Sequence, residues 1–68
     1  MPFVNIRIVK EVLGEDAAQI KQSITNQVTD AISGSVGIDK DAIWVVFEEV
    51  PETEWYVGAQ TVKKIRGG

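Results

Sequence analysis

Phe3-Val4-Asn5-Ile6-Arg7-Ile8-Val9 puts Val4, Ile6 and Ile8 on one side of an extended chain and Phe3, Asn5, Arg7 and Val9 on the other. β-branched residues at period two predict a strand. After a linker, Lys10 to Gly14, the pattern changes period: Ala17, Ile20, Ile24, Val28, Ile32 and Val36 recur every three or four residues within Glu15–Val36, the apolar stripe of one helix. Glu15 and Asp16 suit the positive end of its dipole, Gly37 suits a left-handed cap at its end, and Gly34 weakens the last turn. A second strand is expected at Ala42–Glu49, bracketed by Asp39 and Asp41 before it and Pro51 after it. A helix of this length is enough crossover for the two strands to run parallel, almost always with right-handed connection. The expectation is an α/β (α+β) chain: one β-α-β unit, a short hairpin or edge pairing around Val57-Gly58-Ala59, and an irregular tail from Lys63 to Gly68.

One helix covers one face of a two-stranded sheet. Ile43, Val45 and Phe47 alternate with Trp44 and Val46, so the second strand is apolar on both faces and one face lacks cover from its own chain. Sixty-eight residues form a single domain, 1–68, at the small end of the range, where stability usually leans on disulfides, metals or partners. The chain has no Cys and no His, which removes disulfides and the common soft metal sites and leaves partner subunits. A net charge of −3 gives no electrostatic footprint for nucleic acid. No apolar run spans a bilayer and no signal peptide is visible, so no membrane association is expected and the chain reads as cytoplasmic.

The same absences strip out the ordinary catalytic vocabulary, since most nucleophilic triads need His or Cys. What remains near neutral pH is a terminal amine, with a reference pKa near ~8. If Met1 is removed, Pro2 becomes a rigid N-terminal secondary amine at the start of a strand. Partial burial or nearby cations would lower its pKa toward that of a working general base. A proline at position two also arises by chance in roughly one chain in twenty.

Read together, Met-Pro-Phe-Val-Asn-Ile-Arg-Ile at the start, an amphipathic helix with Asp-Ala-Ile-Ser near its end, a second strand closing in Glu-Glu, and a Trp-x-Val-Gly turn resemble the 4-oxalocrotonate tautomerase family of the macrophage migration inhibitory factor superfamily. The similarity covers nearly the whole chain. It implies β-α-β subunits assembled as dimers and then as a homo-hexamer, a trimer of dimers. It also implies Pro2 as catalytic base at the subunit boundaries, a small enol or keto acid as substrate, and no cofactor or metal. Trp55 falls where the family often has an aromatic residue lining the site, with Gly58 in the following turn.

The family's naming enzyme holds a dicarboxylate with one arginine just after the first strand and another on the second strand. Here the longer linker Lys10-Glu11-Val12-Leu13-Gly14 and Trp44 stand at those places, so neither arginine is matched. That change should favour monoacids or aryl-substituted enols. The remaining candidates for substrate contact are Trp44, Arg7, Lys10 and Arg66. Each has a plainer reading: strand or interface packing for Trp44 and Trp55, an ion pair with Glu48 or Glu49 for Arg7, reach only to a neighbour's Pro2 for Lys10, and a solvated tail charge for Arg66. The run Glu48, Glu49, Glu52, Glu54 reads as a solvated edge that discourages strand aggregation. Two other functions stay open. One is a non-catalytic subunit with the tautomerase fold; the other is a ubiquitin-like modifier or sulfur carrier, suggested by the ending Ile65-Arg66-Gly67-Gly68.

Overall fold

The computed structural model describes residues 1–67. β1 (Phe3–Val9) and β2 (Trp44–Val50) pair in parallel, with Val4 beside Val45, Ile6 beside Phe47 and Arg7 beside Glu48. Between them runs α1 (Ala17–Val36), the crossover that the parallel pairing demands. A two-residue hairpin, β3 (Tyr56–Val57) with β4 (Gln60–Thr61), turns at Gly58, whose φ of 63° is readily adopted only by glycine. A one-turn helix, α2 (Val62–Ile65), closes the described chain; Thr61 caps it by accepting from the Lys64 N–H at 3.2 Å. Gly68, the last residue of the modifier-like ending, lies outside the described residues.

The strand faces divide as the period-two pattern requires. Val4, Ile6, Ile8, Val45 and Phe47 are half-buried on one face, as are Ala17, Ile20, Ile24, Val28 and Ile32 along α1. Lys21 on α1 pairs with Glu49 of β2, so Glu49 lies on the helix side. Phe3, Asn5, Arg7, Trp44, Val46 and Glu48 occupy the other face and are exposed, Phe3 at 62% and Trp44 at 57%.

Several bounds differ from the sequence reading. Glu15 and Asp16 form a 3-10 turn with Gly14 before α1 begins, and Ala42 belongs to another 3-10 turn, Lys40–Ala42, so β2 starts at Trp44 and extends to Val50. The Asp39 carboxylate caps that second turn by accepting from the Asp41 N–H at 3.0 Å. Val36 is exposed although it continues the apolar stripe. The reason is length: 20 helical residues span about 30 Å and seven strand residues about 23 Å, so the end of α1 overhangs the sheet. Gly37, at φ 71°, stops α1 as expected, donating its N–H to the Ser33 carbonyl at 2.9 Å. Lys63, Lys64 and Ile65, expected to be irregular, belong to α2.

The interior is sparse. Only Leu13 (3% exposed) and Ile43 (8%) are buried hydrophobic residues among those described. The radius of gyration is 14.8 Å, against about 11 Å for a compact chain of this length, and the accessible surface is 4879 Å² against about 4200 Å² for a folded monomer of this mass. The thinnest dimension is 14 Å, that of one helix layer on one sheet layer.

Candidate functional site

The residues singled out by the sequence separate to opposite ends of β1. At its beginning, Pro2 is half-buried, and its carbonyl accepts the Trp44 N–H at 3.0 Å, which fixes the strand start against β2. Phe3 and Trp44, register partners, stand exposed beside it on the open face. Lys40, in the turn just before β2, is tied to Asp30, whose hydrogen bond and charge raise the Lys40 pKa above its ordinary value.

At the far end, Arg7, Glu48, Val50, Glu54, Trp55 and Tyr56 line an open cleft of about 440 Å³. β1 and β2 supply Arg7, Glu48 and Val50 from their open face. Trp55 is held by the tail, its carbonyl accepting the Val62 N–H at 2.7 Å. The turn that leads to it is closed by the Glu54 N–H donating to the Pro51 carbonyl at 2.8 Å.

Arg7 does not stand alone in this cleft. Its Nη2 lies 3.3 and 3.4 Å from the two Glu48 carboxylate oxygens, and Asn5 Nδ2 donates to Glu48 Oε1 at 2.7 Å. The Asn5 hydrogen bond, followed by the hydrogen bond and charge of Arg7, holds the Glu48 carboxyl below its ordinary pKa. The expected solvated acidic edge is therefore mostly a set of ion pairs: Glu48 with Arg7, Glu49 with Lys21, and Glu52 with Arg66 at 3.5 Å. Glu54 has no ion-pair partner among the described residues. Trp55 and Arg7 are thus brought together, whereas Trp44 stays with Pro2. Lys10 is exposed beyond the end of β1 and does not line the cleft, and Arg66 is engaged with Glu52. Glu48, Glu54, Tyr56 and Val50 complete the lining; the alternation that put Trp44 and Val46 on the open face also assigns Glu48 and Val50 there.

A protein-family model described as tautomerase enzyme matches residues 2–65. The chain belongs to the tautomerase family. A probable tautomerase of Dickeya dadantii is 38% identical over 66 residues, which make up 97% of this chain and 94% of that one. Among solved structures, DmpI from Helicobacter pylori superposes with a TM-score of 0.84 at 28% identity over 98% of both chains. A 4-oxalocrotonate tautomerase isozyme from Methylibium petroleiphilum gives 0.77 at 26%, covering 94% of this chain and 97% of that one. The parallel β-α-β unit with its short antiparallel hairpin is the tautomerase fold, and family membership supports a tautomerase-type isomerase function. In this chain, Pro2 and the Arg7–Trp55 cleft are separated by five strand steps, about 16 Å along β1. No helix among the described residues is long and apolar enough to cross a membrane.

Proposed function

We propose that the chain is a cofactor-independent cytoplasmic tautomerase that moves a proton between oxygen and carbon of an enol or keto acid, with Pro2 as the base once Met1 has been removed. The free Pro2 nitrogen takes the enol O–H proton, the oxygen electron pair forms the carbonyl, and the former C=C pair takes the same proton back at carbon. While Met1 remains attached, the Pro2 nitrogen is an amide whose lone pair is delocalised, and no basicity remains.

The observation that carries this reading is the setting of Pro2: half-buried, locked to β2 through its own carbonyl, and flanked by Phe3 and Trp44 on the open face. A secondary amine there would be fixed in direction and bordered by apolar surface that disfavours its charged form. The site is read as shared between copies, Pro2 from one and the Arg7–Trp55 cleft from another, because one chain keeps them about 16 Å apart. A homo-hexamer arranged as a trimer of dimers accommodates this. The sparse interior and the exposed face of Phe3, Trp44 and Val46 support assembly. Trp44, Trp55 and Arg7 are proposed substrate contacts. Lys10 and Arg66 remain candidates only through a neighbouring copy.

The test pairs intact mass spectrometry with turnover of a simple enol acid. Activity should scale with the fraction of chains that begin at Pro2, and full turnover by a wholly Met1-bearing preparation would end the reading. Sedimentation at micromolar concentration should give an assembly; a stable folded 7.5 kDa monomer would remove the shared-site argument.

A further inference from the structure

The charges of the Trp55 cleft are unbalanced. Its lining holds one cation, Arg7, and two carboxylates, Glu48 and Glu54, while Val50, Trp55 and Tyr56 supply apolar wall. Glu48 is fixed by Asn5 at 2.7 Å and already stands against Arg7 Nη2. A guanidinium has five N–H donors, so Arg7 still has unused edges for one incoming carboxylate. Within one chain a second carboxylate on the same ligand would find no further cation; only Lys10 or Arg66 of a neighbouring copy could supply one. Lys10, Lys63 and Lys64 have no ion-pair partner among the described residues, and none of them lines the cleft. That second charge would meet Glu54 and the aromatic rings instead.

Building on the reading that this cleft receives the substrate, we propose that Glu48 and Glu54 set its charge class: the cleft takes monoanionic enol acids carrying an aryl or other apolar group and discriminates against dicarboxylates. Repulsion between unit charges roughly 7 Å apart, at an effective dielectric between water and a protein surface, amounts to about three- to tenfold in affinity for each opposing carboxylate. The apolar wall favours the aryl group at the same time, with Trp55 and Tyr56 available for offset stacking.

The experiment compares kcat/KM for phenylenolpyruvate, a monoanion with a phenyl ring, with that for 2-hydroxymuconate, a dianion. The assembled wild type, Glu48→Gln, Glu54→Gln and, as a control, Glu15→Gln are used; Glu15 is an exposed carboxylate outside the cleft. Wild type should prefer the monoanion. The preference should fall about three- to tenfold in each cleft variant and remain in Glu15→Gln. A salt titration of wild type needs no variant: screening should raise relative turnover of the dianion. A wild-type preference for the dianion, or ratios within twofold of wild type in both cleft variants together with no salt effect, would overturn the proposal. Pro2→Ala run in parallel separates the two levels. If it abolishes turnover of both compounds while the ratios behave as in that overturning case, the charge assignment alone fails. If Pro2→Ala retains full turnover, the Pro2 reading fails.

Discussion

The two ends of β1 are built by different physics. At the Pro2 end, the buried Ile43 leads into β2, one backbone hydrogen bond fixes the strand start, and the exposed side chains on the open face are Phe3 and Trp44. At the Arg7 end, the buried Leu13 anchors the chain after β1, and the surface is a web of charge: Arg7 with Glu48 and Asn5, Lys21 with Glu49, Arg66 with Glu52, and the Glu11 carboxylate accepting the Glu52 N–H at 2.8 Å. One end suits a neutral amine and the other suits orienting an anion. A strand of seven residues keeps them apart, so a reaction needing both requires the beginning of one copy near the end of another.

The sharpest way to break this comparison is to remove one end at a time. Pro2→Ala should lower kcat by about 10²- to 10⁴-fold, the range for loss of a positioned general base. Arg7→Ala should act mainly on KM, about tenfold, because it removes a contact made in ground state and transition state alike. Steady-state kinetics on variants of unchanged sedimentation would read both. A kcat loss as large for Arg7→Ala as for Pro2→Ala would mean that the two ends do not divide the work.

Next in size is the anchor of the charged end. Leu13→Ala empties the most buried position of the described chain and should cost about 2–4 kcal/mol in denaturant unfolding at fixed protein concentration. Val36→Ala, at an exposed position on α1, should stay within about 0.5 kcal/mol unless a second copy covers it. Equal losses for the two would show that the burial seen in one chain is not the burial that matters in the assembly.

Leu13 also marks the limit of what the sequence discloses. The period-two run of β1 and the stripe of α1 were legible because each repeats its own evidence over many residues. Leu13 sits alone in Lys10-Glu11-Val12-Leu13-Gly14, where a single apolar residue has no period, and it reads as linker. α2 had the same difficulty, since one turn is too short to show periodicity, and its residues read as irregular tail. At the candidate site, Pro2 stood out because its chemistry depends on its position in the chain. The Arg7–Glu48 pair was one of two options left open. Choosing between Glu48 and Glu49 needs the register of two strands 41 residues apart, and adjacent residues on a strand point to opposite faces.

A smaller effect probes how the tail holds Trp55. Thr61→Ala removes the cap of α2 and should cost about 1 kcal/mol locally. The loss should appear as faster amide exchange at Val62, whose N–H is bonded to the Trp55 carbonyl at 2.7 Å, with little change in global unfolding. Unchanged exchange at Val62 would mean that Trp55 is held by something other than the capped turn.

The smallest effect tests the charge web directly. Glu48 is held below its ordinary pKa first by the Asn5 amide and then by Arg7. Asn5→Ala removes the leading cause, so the Glu48 carboxyl should titrate higher than in wild type while staying below the ordinary carboxylate range, because Arg7 remains. A carboxylate with a depressed folded-state pKa stabilises the fold fully above its unfolded value and loses that contribution as pH falls through the folded value. Wild type should therefore keep the Arg7–Glu48 tie to lower pH than Asn5→Ala, and both should lose it in acid rather than in base. Carboxyl-detected NMR titration of Glu48 in the two proteins measures this. Superimposable curves would show that Arg7 alone lowers the pKa and that Asn5 does not help fix the carboxylate facing the cleft.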